Sequence, residues 1–483
     1  MEGWTRCYAP QEAWEILQER REACYDNYAA LYSGNVRSLI RTAPRGSFWA
    51  RPGKSRVHVP LAADLAATSA NLLFGEEPRF SLRGMDPEGK KHERLKALLD
   101  YSSITAVLCE AAESASAMGD VCLKLSWSLK SPCPLLSVVQ AMASLPEYRM
   151  GHLHCLHFFT VLREDRNGHV WRVWEQYRPG RLDMRMFEGT RRELGRELPG
   201  DALLDLGFEP VQEPGVEDLL AVHVPNMRPN RFWPDSGMGR SDLEGMRGLM
   251  DALDEVCSSW MRDIRLAKSR LIVPAEYLRR RPRDLFREGQ FTYEFDEDVE
   301  TLVALDMDTS HSGQAMITPS QFRIRTEEHR KTCEYLIRSI VSMAGYSPQS
   351  FGMDLDGSNE SGAALQLRER RSYATRGKKE NYWKAPLEQI LTAMVHLDGR
   401  QNPGVFTGGD RVSVLFPDAT ANDLTTTAGA VRMLREAGVM SVEEGVSMVH
   451  PDWSRDMVEK EITRIREKEE EREGGAEDGD SGA

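Results

Sequence analysis

The alternation of hydrophobic and polar positions divides the first half of the chain into helices followed by strands. Residues 10–31, 60–75 and 91–118 predict helices, and the second of these begins at a proline and ends at a glycine, which are common helix boundary residues. Between residues 120 and 187 the pattern changes to short apolar or alternating runs that turn residues separate, which indicates a β-rich lobe. Residues 190–218 are polar and predict a connection.

A long stripe of hydrophobic residues follows in residues 241–269. The apolar residues step by three and four, as in a heptad repeat, and Ser241 with Glu244 forms a capping-box pattern at the start. The stripe consists of Leu243, Met246, Met250, Leu253, Cys257, Trp260, Ile264 and Ala267. At about 1.5 Å per residue, the predicted helix is about 43 Å long.

A second stripe with the same spacing lies in residues 318–344. The run from Thr318 to Gln321 predicts its N-terminal cap, with Pro319 in the first turn. The stripe consists of Phe322, Thr326, His329, Cys333, Leu336, Ile340 and Met343. Residues 270–317, between the stripes, contain strand-like pieces. We therefore predict an antiparallel pair of long helices with a small α/β insert at its tip; the stripes could be buried within one chain or between neighbouring subunits of a ring.

An acidic, glycine-containing loop, FGMDLDGSNESG, begins at Phe351 and leads into a third helix. This helix is expected over residues 361–397, and Gly377 and Pro386 predict a bend in it. Between residues 368 and 384 it carries seven basic residues against two acidic ones, Glu369 and Glu380, a balance of +5. The basic residues are Arg368, Arg370, Arg371, Arg376, Lys378, Lys379 and Lys384.

The C-terminal part of the chain predicts one strand and two helices before a polar tail. Residues 409–416 have a strand pattern, and residues 423–439 and 455–468 have helical patterns. Residues 469–483 contain too few apolar residues to form a core, so we expect them to be disordered.

Composition narrows the functional classes. A chain of 483 residues with 41% hydrophobic residues predicts a folded protein of several lobes, and a net charge of −13 argues against a surface that clamps nucleic acid. The eight cysteines are scattered without a C-x-x-C pair, which predicts reduced thiols in a cytoplasmic setting. Neither a signal peptide nor an apolar run of about 20 residues is present, so we expect no membrane association.

The motifs that would indicate an enzyme or a metal site fail their spacing tests. Gly53-Lys54-Ser55 imitates the end of a nucleotide-binding loop, but Phe48 stands where the first glycine belongs. In the acidic loop, Asn359 and Leu365 occupy the positions where a calcium loop needs Gly and Glu. The cluster 152-HLHCLH-157 predicts a strand, on which at most two ligands share a face, whereas a structural zinc site needs four.

The order and spacing of several motifs along the chain resemble those of the tailed-bacteriophage portal proteins, the head-to-tail connectors. The resemblance extends from about Ala13 to Lys468, and no single motif is diagnostic. The motifs are VPLAADLAATSANLLFGEEP (59–78), AMGDVCLKLSW (117–127), GRSDLEGMRGLMDALDEVCSSWMRDIRLAKSRLIVP (239–274), FGMDLDGSNESGAALQLRER (351–370), VLFPDATAND (414–423), LREAGVMSVEEGV (434–446) and HPDWS (450–454).

The resemblance implies an α+β, mainly helical subunit with wing, stem, clip and crown regions that assembles as a ring of about twelve copies. Mapped onto this sequence, it implies a wing at 1–240, stem helices at 241–269 and 318–344, a clip at 270–317, a tunnel loop at 345–360, a long bent helix and wing strand at 361–422, crown helices at 423–468, and a disordered acidic tail at 469–483.

The implied function is structural: a channel at one capsid vertex through which a separate terminase motor packages double-stranded DNA, and through which the DNA is later ejected. The implied partners are further copies of the chain, non-specifically bound DNA, the terminase large subunit, a major capsid or scaffolding protein, and a head-completion or adaptor protein. The expected location is the virion, with the host cytoplasm during assembly. No catalytic residue, metal or cofactor is implied. The alternative is a metal-dependent hydrolase or nuclease that uses the acids of residues 354–360.

The resemblance also assigns residues to sites. The tunnel loop would present Ser347, Gln349, Ser350, Met353, Asp354, Asp356, Ser358, Asn359 and Glu360 to the channel. The stem interface between subunits would include Leu243, Met246, Met250, Leu253, Trp260, Ile264, Phe322, Leu336 and Ile340. The clip would dock on an acidic surface of the terminase or of a head-completion protein through Arg279, Arg280, Arg281 and Arg283.

The charge of the channel wall would affect how strongly the wall holds the DNA. Every phosphate that a Lys or Arg neutralises adds to the retention of DNA, so the acids of the loop would form a weakly repelling wall. We therefore predict that most of the basic run at 368–384 pairs with acids of the same subunit or of a neighbouring one.

Overall fold

The computed structural model describes residues 7–51, 56–83, 89–127, 131–267, 270–274, 303–305, 318–320, 324–353, 362–417, 424–450 and 457–467. The chain forms two compact units, Met1–Phe416 and Pro417–Ala483. The glycine-lysine motif at 53–55, the four arginines of the predicted clip, Phe322, the loop residues 354–361 and the predicted disordered tail lie outside the described residues.

The helices of the first unit match most of the predicted ones. They are α1 (Pro10–Arg20), α2 (Asp26–Ser33), α3 (Val36–Thr42), α4 (Leu61–Phe74), α5 (Lys90–Tyr101), α6 (Ile104–Met118), α7 (Asp201–Leu204), α8 (Arg247–Leu266), α9 (Thr326–Ala344) and α10 (Gly362–Gln401). A π-helical turn, Arg21–Tyr25, joins α1 to α2. The single helix predicted at 91–118 is two helices, because Ser103 between them has a left-handed backbone with φ of 50°.

Strands form where the β-rich lobe was predicted and at a few other places. They are β1 (Arg79–Leu82), β2 (Asp120–Ser126), β3 (Leu135–Gln140), β4 (Ser144–Arg149), β5 (His152–Glu164), β6 (Val170–Arg178), β7 (Arg181–Gly189), β8 (Arg196–Glu197), β9 (Val211–Gln212), β10 (Ala221–Pro225), β11 (Arg270–Pro274), β12 (Val303–Leu305), β13 (Thr318–Ser320) and β14 (Val412–Leu415).

The strands make four sheets. An antiparallel sheet has the order β4-β5-β6-β7-β8, with β9 also paired to β7, and a second has the order β10-β2-β3. β1 pairs with β14. In the small sheet β12-β11-β13, the pair β11–β12 is parallel and the pair β11–β13 is antiparallel.

Two large hydrophobic cores hold the first unit together. The first core lies between the β10-β2-β3 sheet and the helices α4, α6 and α10, and the second is formed by α2, α4, α8 and α9. The C-terminal half of α10 contributes buried side chains to the first core: Trp383, Leu387, Ile390, Leu391, Met394 and Val395. Full burial of one such side chain is worth about 1.5–3 kcal/mol, so this half of α10 is firmly fixed.

The first stripe helix begins six residues later than its sequence predicted. The hydroxyl of Ser241 donates to the carbonyl of Ala117 at 2.6 Å and accepts from the amide of Leu243, so it does not cap α8. The carboxylate of Glu244 lies 3.4 Å from Arg231. Helix α8 starts only at Arg247, after Gly245 with φ of 77°.

The second stripe helix also begins late. Residues Thr318–Ser320, predicted as its cap, form the edge strand β13, where Pro319 faces Leu271 of β11. An edge strand tolerates a proline because the missing amide is not needed by another strand. Helix α9 starts at Thr326.

Helix α10 is longer than predicted and continuous across both residues that were expected to bend it. It has 40 residues, from Gly362 to Gln401, and contains Pro386. The strand predicted at 409–416 is the shorter β14.

The second unit is helical in its described residues. It contains α11 (Leu424–Glu436), α12 (Val442–Val449) and a further helix at 457–467, with Val446, Val458 and Ile462 in a small core. The helices at 423–439 and 455–468 were predicted, but α12 was not. The sequence does contain a signal for α12, since Ser441 is of a residue type preferred at the N-cap. In the structure its hydroxyl accepts from the amide of Glu444 at 3.1 Å.

Candidate functional site: the helix pair and the loop anchor

Helices α8 and α9 pack side by side in antiparallel orientation, as predicted. Three contacts show the direction. The sulfur atoms of Cys257 and Cys333 are 3.6 Å apart, and the rings of Trp260 and His329 are stacked with centroids 6.0 Å apart. One turn further, Asp263 accepts from Arg325 at 2.9 Å and lies 3.0 Å from His329. Residue numbers rise along α8 while they fall along α9, which fixes the antiparallel arrangement.

Most of the residues predicted at the stem interface between subunits are buried inside the single chain. Those in the second core are Leu243, Met246, Met250, Leu253, Leu336 and Ile340. The stripe is buried at its N-terminal end because that end of α8 lies in the second core, which also contains residues of α2, α4 and α9. Of the other predicted interface residues, Trp260 is partly buried and Ile264 is 41% exposed.

The large apolar side chains that these two helices leave exposed were mostly absent from the prediction. Tyr335 is 70% exposed and Met343 is 59% exposed on α9, and Met261 is exposed on α8. Of these, only Met343 was part of a predicted stripe. Sequence spacing alone could not separate the two faces, because both faces of α9 carry apolar residues.

The first part of the predicted tunnel loop is fixed to α10. After α9, residues Pro348–Phe351 form a 3-10 turn. The amide of Ser347 donates to the hydroxyl of Ser372 at 2.9 Å, and the hydroxyl of Ser350 lies 2.8 Å from the same atom. The hydroxyl of Thr375 donates to the carbonyl of Gly345 at 2.6 Å. These bonds anchor the chain before residue 354.

Ser347 was predicted to face the channel, and its burial contradicts that position for its side chain. It is buried against α10, whereas Gln349, Ser350 and Met353 are partly exposed. The remaining residues predicted for the loop lie outside the described residues: Asp354, Asp356, Ser358, Asn359 and Glu360. The same holds for the acids of the alternative hydrolase.

A buried polar network lies directly beneath this anchor and is centred on Asp242. Its Oδ2 atom accepts from Lys379 at 2.6 Å, from the hydroxyl of Tyr346 at 2.8 Å and from that of Ser116 at 2.6 Å. Its Oδ1 atom accepts from the Asn226 amide at 2.8 Å. We name Asp242, Lys379, Tyr346, Ser116 and Asn226 the Asp242 network.

The network joins segments that are far apart in the sequence. Ser116 is on α6, Asn226 follows β10, Asp242 precedes α8, Tyr346 follows α9, and Lys379 is on α10. The start of α8, the end of α9 and the middle of α10 are therefore held at one point.

Burial and the charge of Asp242 both shift the pKa values of the groups in the Asp242 network. Burial lowers the pKa of Lys379, and the carboxylate of Asp242 opposes that shift. Burial also raises the pKa of the Tyr346 phenol well above its usual value, with the charge of Asp242 adding to the shift. A buried ion pair is stable only when both partners remain and the other hydrogen-bonding atoms are satisfied, and here Lys379 also donates to Ser69 at 2.7 Å.

The basic run on α10 divides into paired and exposed side chains. Arg376 is buried and lies 2.8 Å from Glu380, and Lys379 belongs to the Asp242 network. Four others are exposed and have no ion-pair partner among the described residues: Arg370, Arg371, Lys378 and Lys384. We predicted that most of the run pairs with acids, and two of its residues, Arg376 and Lys379, do so within the described chain. Pairing of the others with a neighbouring subunit stays a prediction.

The histidine and cysteine cluster 152–157 lies on β5, as predicted. Cys155 and His157 share a face and are buried, with the sulfur atom 3.5 Å from the Nε2 atom of His157.

None of the helices in the described part of the chain combines the length and the apolar character that a membrane span requires.

The family model described as "Phage portal protein, SPP1 Gp6-like" matches residues 51–475. No curated protein matches the chain. A chain in the virion of a native gene transfer agent particle is similar, with a TM-score of 0.41 and 11% identity over 81% of this chain and 89% of that chain. A chain in the neck of the native particle, computed with C12 symmetry, has a TM-score of 0.41 and 12% identity over 86% of this chain and 93% of that chain.

The matched region contains both stripe helices, the loop anchor and α10, and it also includes most of the second unit. The chain belongs to the SPP1 Gp6-like family of phage portal proteins.

Proposed function

We propose that this chain forms the ring-shaped channel at one vertex of a phage capsid. A separate terminase motor would package double-stranded DNA through the ring, and the DNA would later leave by the same path. The family match over residues 51–475 is the observation that carries this proposal. The ring would contain about twelve subunits and would also dock head-completion or adaptor proteins and the capsid or scaffolding protein.

Within the ring, the antiparallel pair of α8 and α9 would be the stem. The contacts of Trp260 with His329 and of Asp263 with Arg325 give each subunit a rigid two-helix unit. Residues 270–317, between these helices, would form the clip. Residues 1–240, with α10 and β14, would be the wing, and residues 423–468 the crown.

Neighbouring subunits would meet through the apolar side chains that α8 and α9 leave exposed. Tyr335, Met343 and Ile264 are exposed in the single chain, whereas most of the stripe is already buried in its own core. Removing such side chains from water on assembly is worth about 25 cal/mol for each Å² of apolar surface, which gives a physical drive for the ring.

The loop between α9 and α10 would project from the Asp242 network towards the DNA. The network and Ser372 fix the base of the loop, up to Met353. The acids at 354, 356 and 360 would repel phosphates weakly and keep the DNA free to slide.

Labelling of assembled particles tests the proposed location. Antibodies raised against this chain should bind at one vertex of each particle that contains it. Binding at every vertex, or binding along the tail with no signal at the capsid, would contradict a portal.

A further inference from the structure

A group of metal-ligating side chains lies away from the helix pair, at the base of the β4-β5-β6-β7-β8 sheet. It consists of Cys7, just before α1, Glu147 on β4 and Cys155 on β5. Their two sulfur atoms and a carboxylate oxygen all lie within 4.8 Å of one another. Glu147 and Cys155 are directly paired across the two strands, so their side chains project from the same face.

The surrounding residues hold Glu147 with one oxygen facing the sulfur atoms. Arg149 donates to its Oε1 atom at 2.7 Å. The Oε2 atom accepts from the amide of Tyr8 at 3.0 Å and lies 3.2 Å from the sulfur of Cys155. The carboxylate is therefore oriented, and both Glu147 and Cys155 are buried.

His157 supports this group but is not one of its ligands. The indole nitrogen of Trp174 can only donate, and it lies 3.3 Å from the Nδ1 atom of His157. Nδ1 is therefore the acceptor, and the ring proton is on Nε2, which lies 3.4 Å from the Oε2 atom of Glu147. An Nε2 atom that carries a proton cannot bind a metal, so His157 orients Glu147 in the way that outer-shell partners orient metal ligands.

We propose that Cys7, Glu147 and Cys155 bind one thiophilic divalent cation of the Zn²⁺ class. Two sulfurs with one oxygen favour Zn²⁺ over Mg²⁺ or Ca²⁺, which take oxygen ligands. Tetrahedral zinc with Zn–S bonds of about 2.3 Å places two sulfurs about 3.8 Å apart, so ligand atoms within 4.8 Å need to move by about 1 Å or less.

The charge of the site also fits a divalent cation. Two thiolates and one carboxylate carry three negative charges, while the cation and the guanidinium of Arg149 carry three positive ones. The two thiol protons leave to solvent when the cation binds, and a water molecule takes the fourth position. Cys7 is only partly buried, which leaves a route for entry. Bound metal would tie the segment before α1 to the sheet.

Metal titration of the full chain tests the site. The protein is purified in a reducing buffer, stripped with a chelator, and titrated with Zn²⁺ and separately with Co²⁺. We expect one Zn²⁺ per chain, and with Co²⁺ the near-ultraviolet absorption of thiolate coordination. Because outer-shell partners alone are worth about tenfold or more in affinity, Cys7→Ser, Cys155→Ser and Glu147→Gln should each weaken Zn²⁺ binding by more than about tenfold.

The thiol pair Cys257–Cys333 provides a matched control. Its sulfur atoms are 3.6 Å apart, but no third ligand joins them among the described residues. Cys257→Ser should therefore leave Zn²⁺ binding unchanged. Cys7→Ser is the decisive variant because Cys7 is only partly buried, whereas Glu147 and Cys155 are buried. The proposal is overturned if no Zn²⁺ binds, if Cys7→Ser binds it as the parent chain does, or if mass spectrometry finds Cys7 and Cys155 joined as a disulfide in the reducing buffer.

Discussion

The ammonium group of Lys379 lies 2.6 Å from the Oδ2 atom of Asp242, and both residues are 2% exposed. Because the two residues are 137 positions apart in the sequence, this bond fixes α10 to the segment that leads into α8. It lies under the base of the predicted tunnel loop, where Tyr346 joins both residues. This ion pair therefore contributes to the stability of this part of the subunit, together with the other bonds of the Asp242 network.

Removing the cation of this pair should destabilise the subunit strongly. Lys379→Met leaves the carboxylate of Asp242 buried without its counter-charge, and a broken buried pair costs about 3–5 kcal/mol. Denaturant unfolding should show this loss. The neighbouring Lys378→Met is the control: its side chain is exposed, and we expect a change within about 0.5 kcal/mol. Equal stability of the two variants would show that the pair is not required.

The hydroxyl of Ser372 should control the base of the loop. Ser372→Ala removes the acceptor of the Ser347 amide, and a buried amide without a partner costs about 1–3 kcal/mol. Amide hydrogen exchange of residues 346–353 should become faster. Ser339→Ala is the control, because that hydroxyl donates within its own helix, to the Tyr335 carbonyl. Unchanged exchange in Ser372→Ala would mean that the anchor is held by other contacts.

Substitutions of two adjacent residues on α9 should separate assembly of the ring from stability of the subunit. Tyr335 is 70% exposed, so Tyr335→Glu should reduce ring formation while the unfolding free energy of the subunit changes little. Leu336 is 8% exposed, so Leu336→Ala should lower the unfolding free energy by about 2–5 kcal/mol. Analytical ultracentrifugation and denaturant unfolding measure the two quantities. Rings that form normally with Tyr335→Glu would place the subunit interface elsewhere.

The exposed basic residues of α10 should pair with a neighbouring subunit. Lys378→Glu with Lys384→Glu should then weaken the ring, and DNA retention should stay the same. Lys96→Glu, on the exposed surface of α5, is the control for a general effect of charge. If Lys378 and Lys384 face DNA instead, the double variant binds DNA more weakly. The slope of log K against log salt concentration then becomes less steep by about 0.9 for each lost phosphate contact.

The four arginines predicted in the clip should matter for docking and not for ring formation. Reversing the charge of Arg279, Arg280, Arg281 and Arg283 together should impair DNA packaging, because an acidic partner surface would lose its counter-charges. Electron microscopy should still show rings. Loss of the rings would give these residues a structural role.

The elements could be predicted from the sequence because their signals are local. The spacing of apolar residues predicted both stripe helices and their antiparallel pairing, and short alternating runs predicted the strands of the β-rich lobe. Helix starts were predicted less well. Ser241 matches a capping box, but a carbonyl of α6, that of Ala117, takes its hydroxyl, and only tertiary contacts decide between these two bonds.

The site was harder to predict because its residues meet only in the folded chain. Lys379 was counted as one of seven basic residues, and nothing nearby in the sequence indicates Asp242 as its partner. The group of Cys7, Glu147 and Cys155 is similar, because only Cys155 belongs to the cluster at 152–157 that the sequence drew attention to. Folding brings Glu147 of β4 and Cys7, which precedes α1, close to it. The stripes predicted apolar contact surfaces, but spacing could not tell a subunit interface from a core.

The mass of the assembled protein tests the portal proposal most directly. Native mass spectrometry of the purified chain should give a closed ring of about twelve copies of the 54.6 kDa subunit, which is about 655 kDa. A ring of thirteen copies would support the same architecture. A monomer of 54.6 kDa at every protein concentration and salt concentration tested would contradict it.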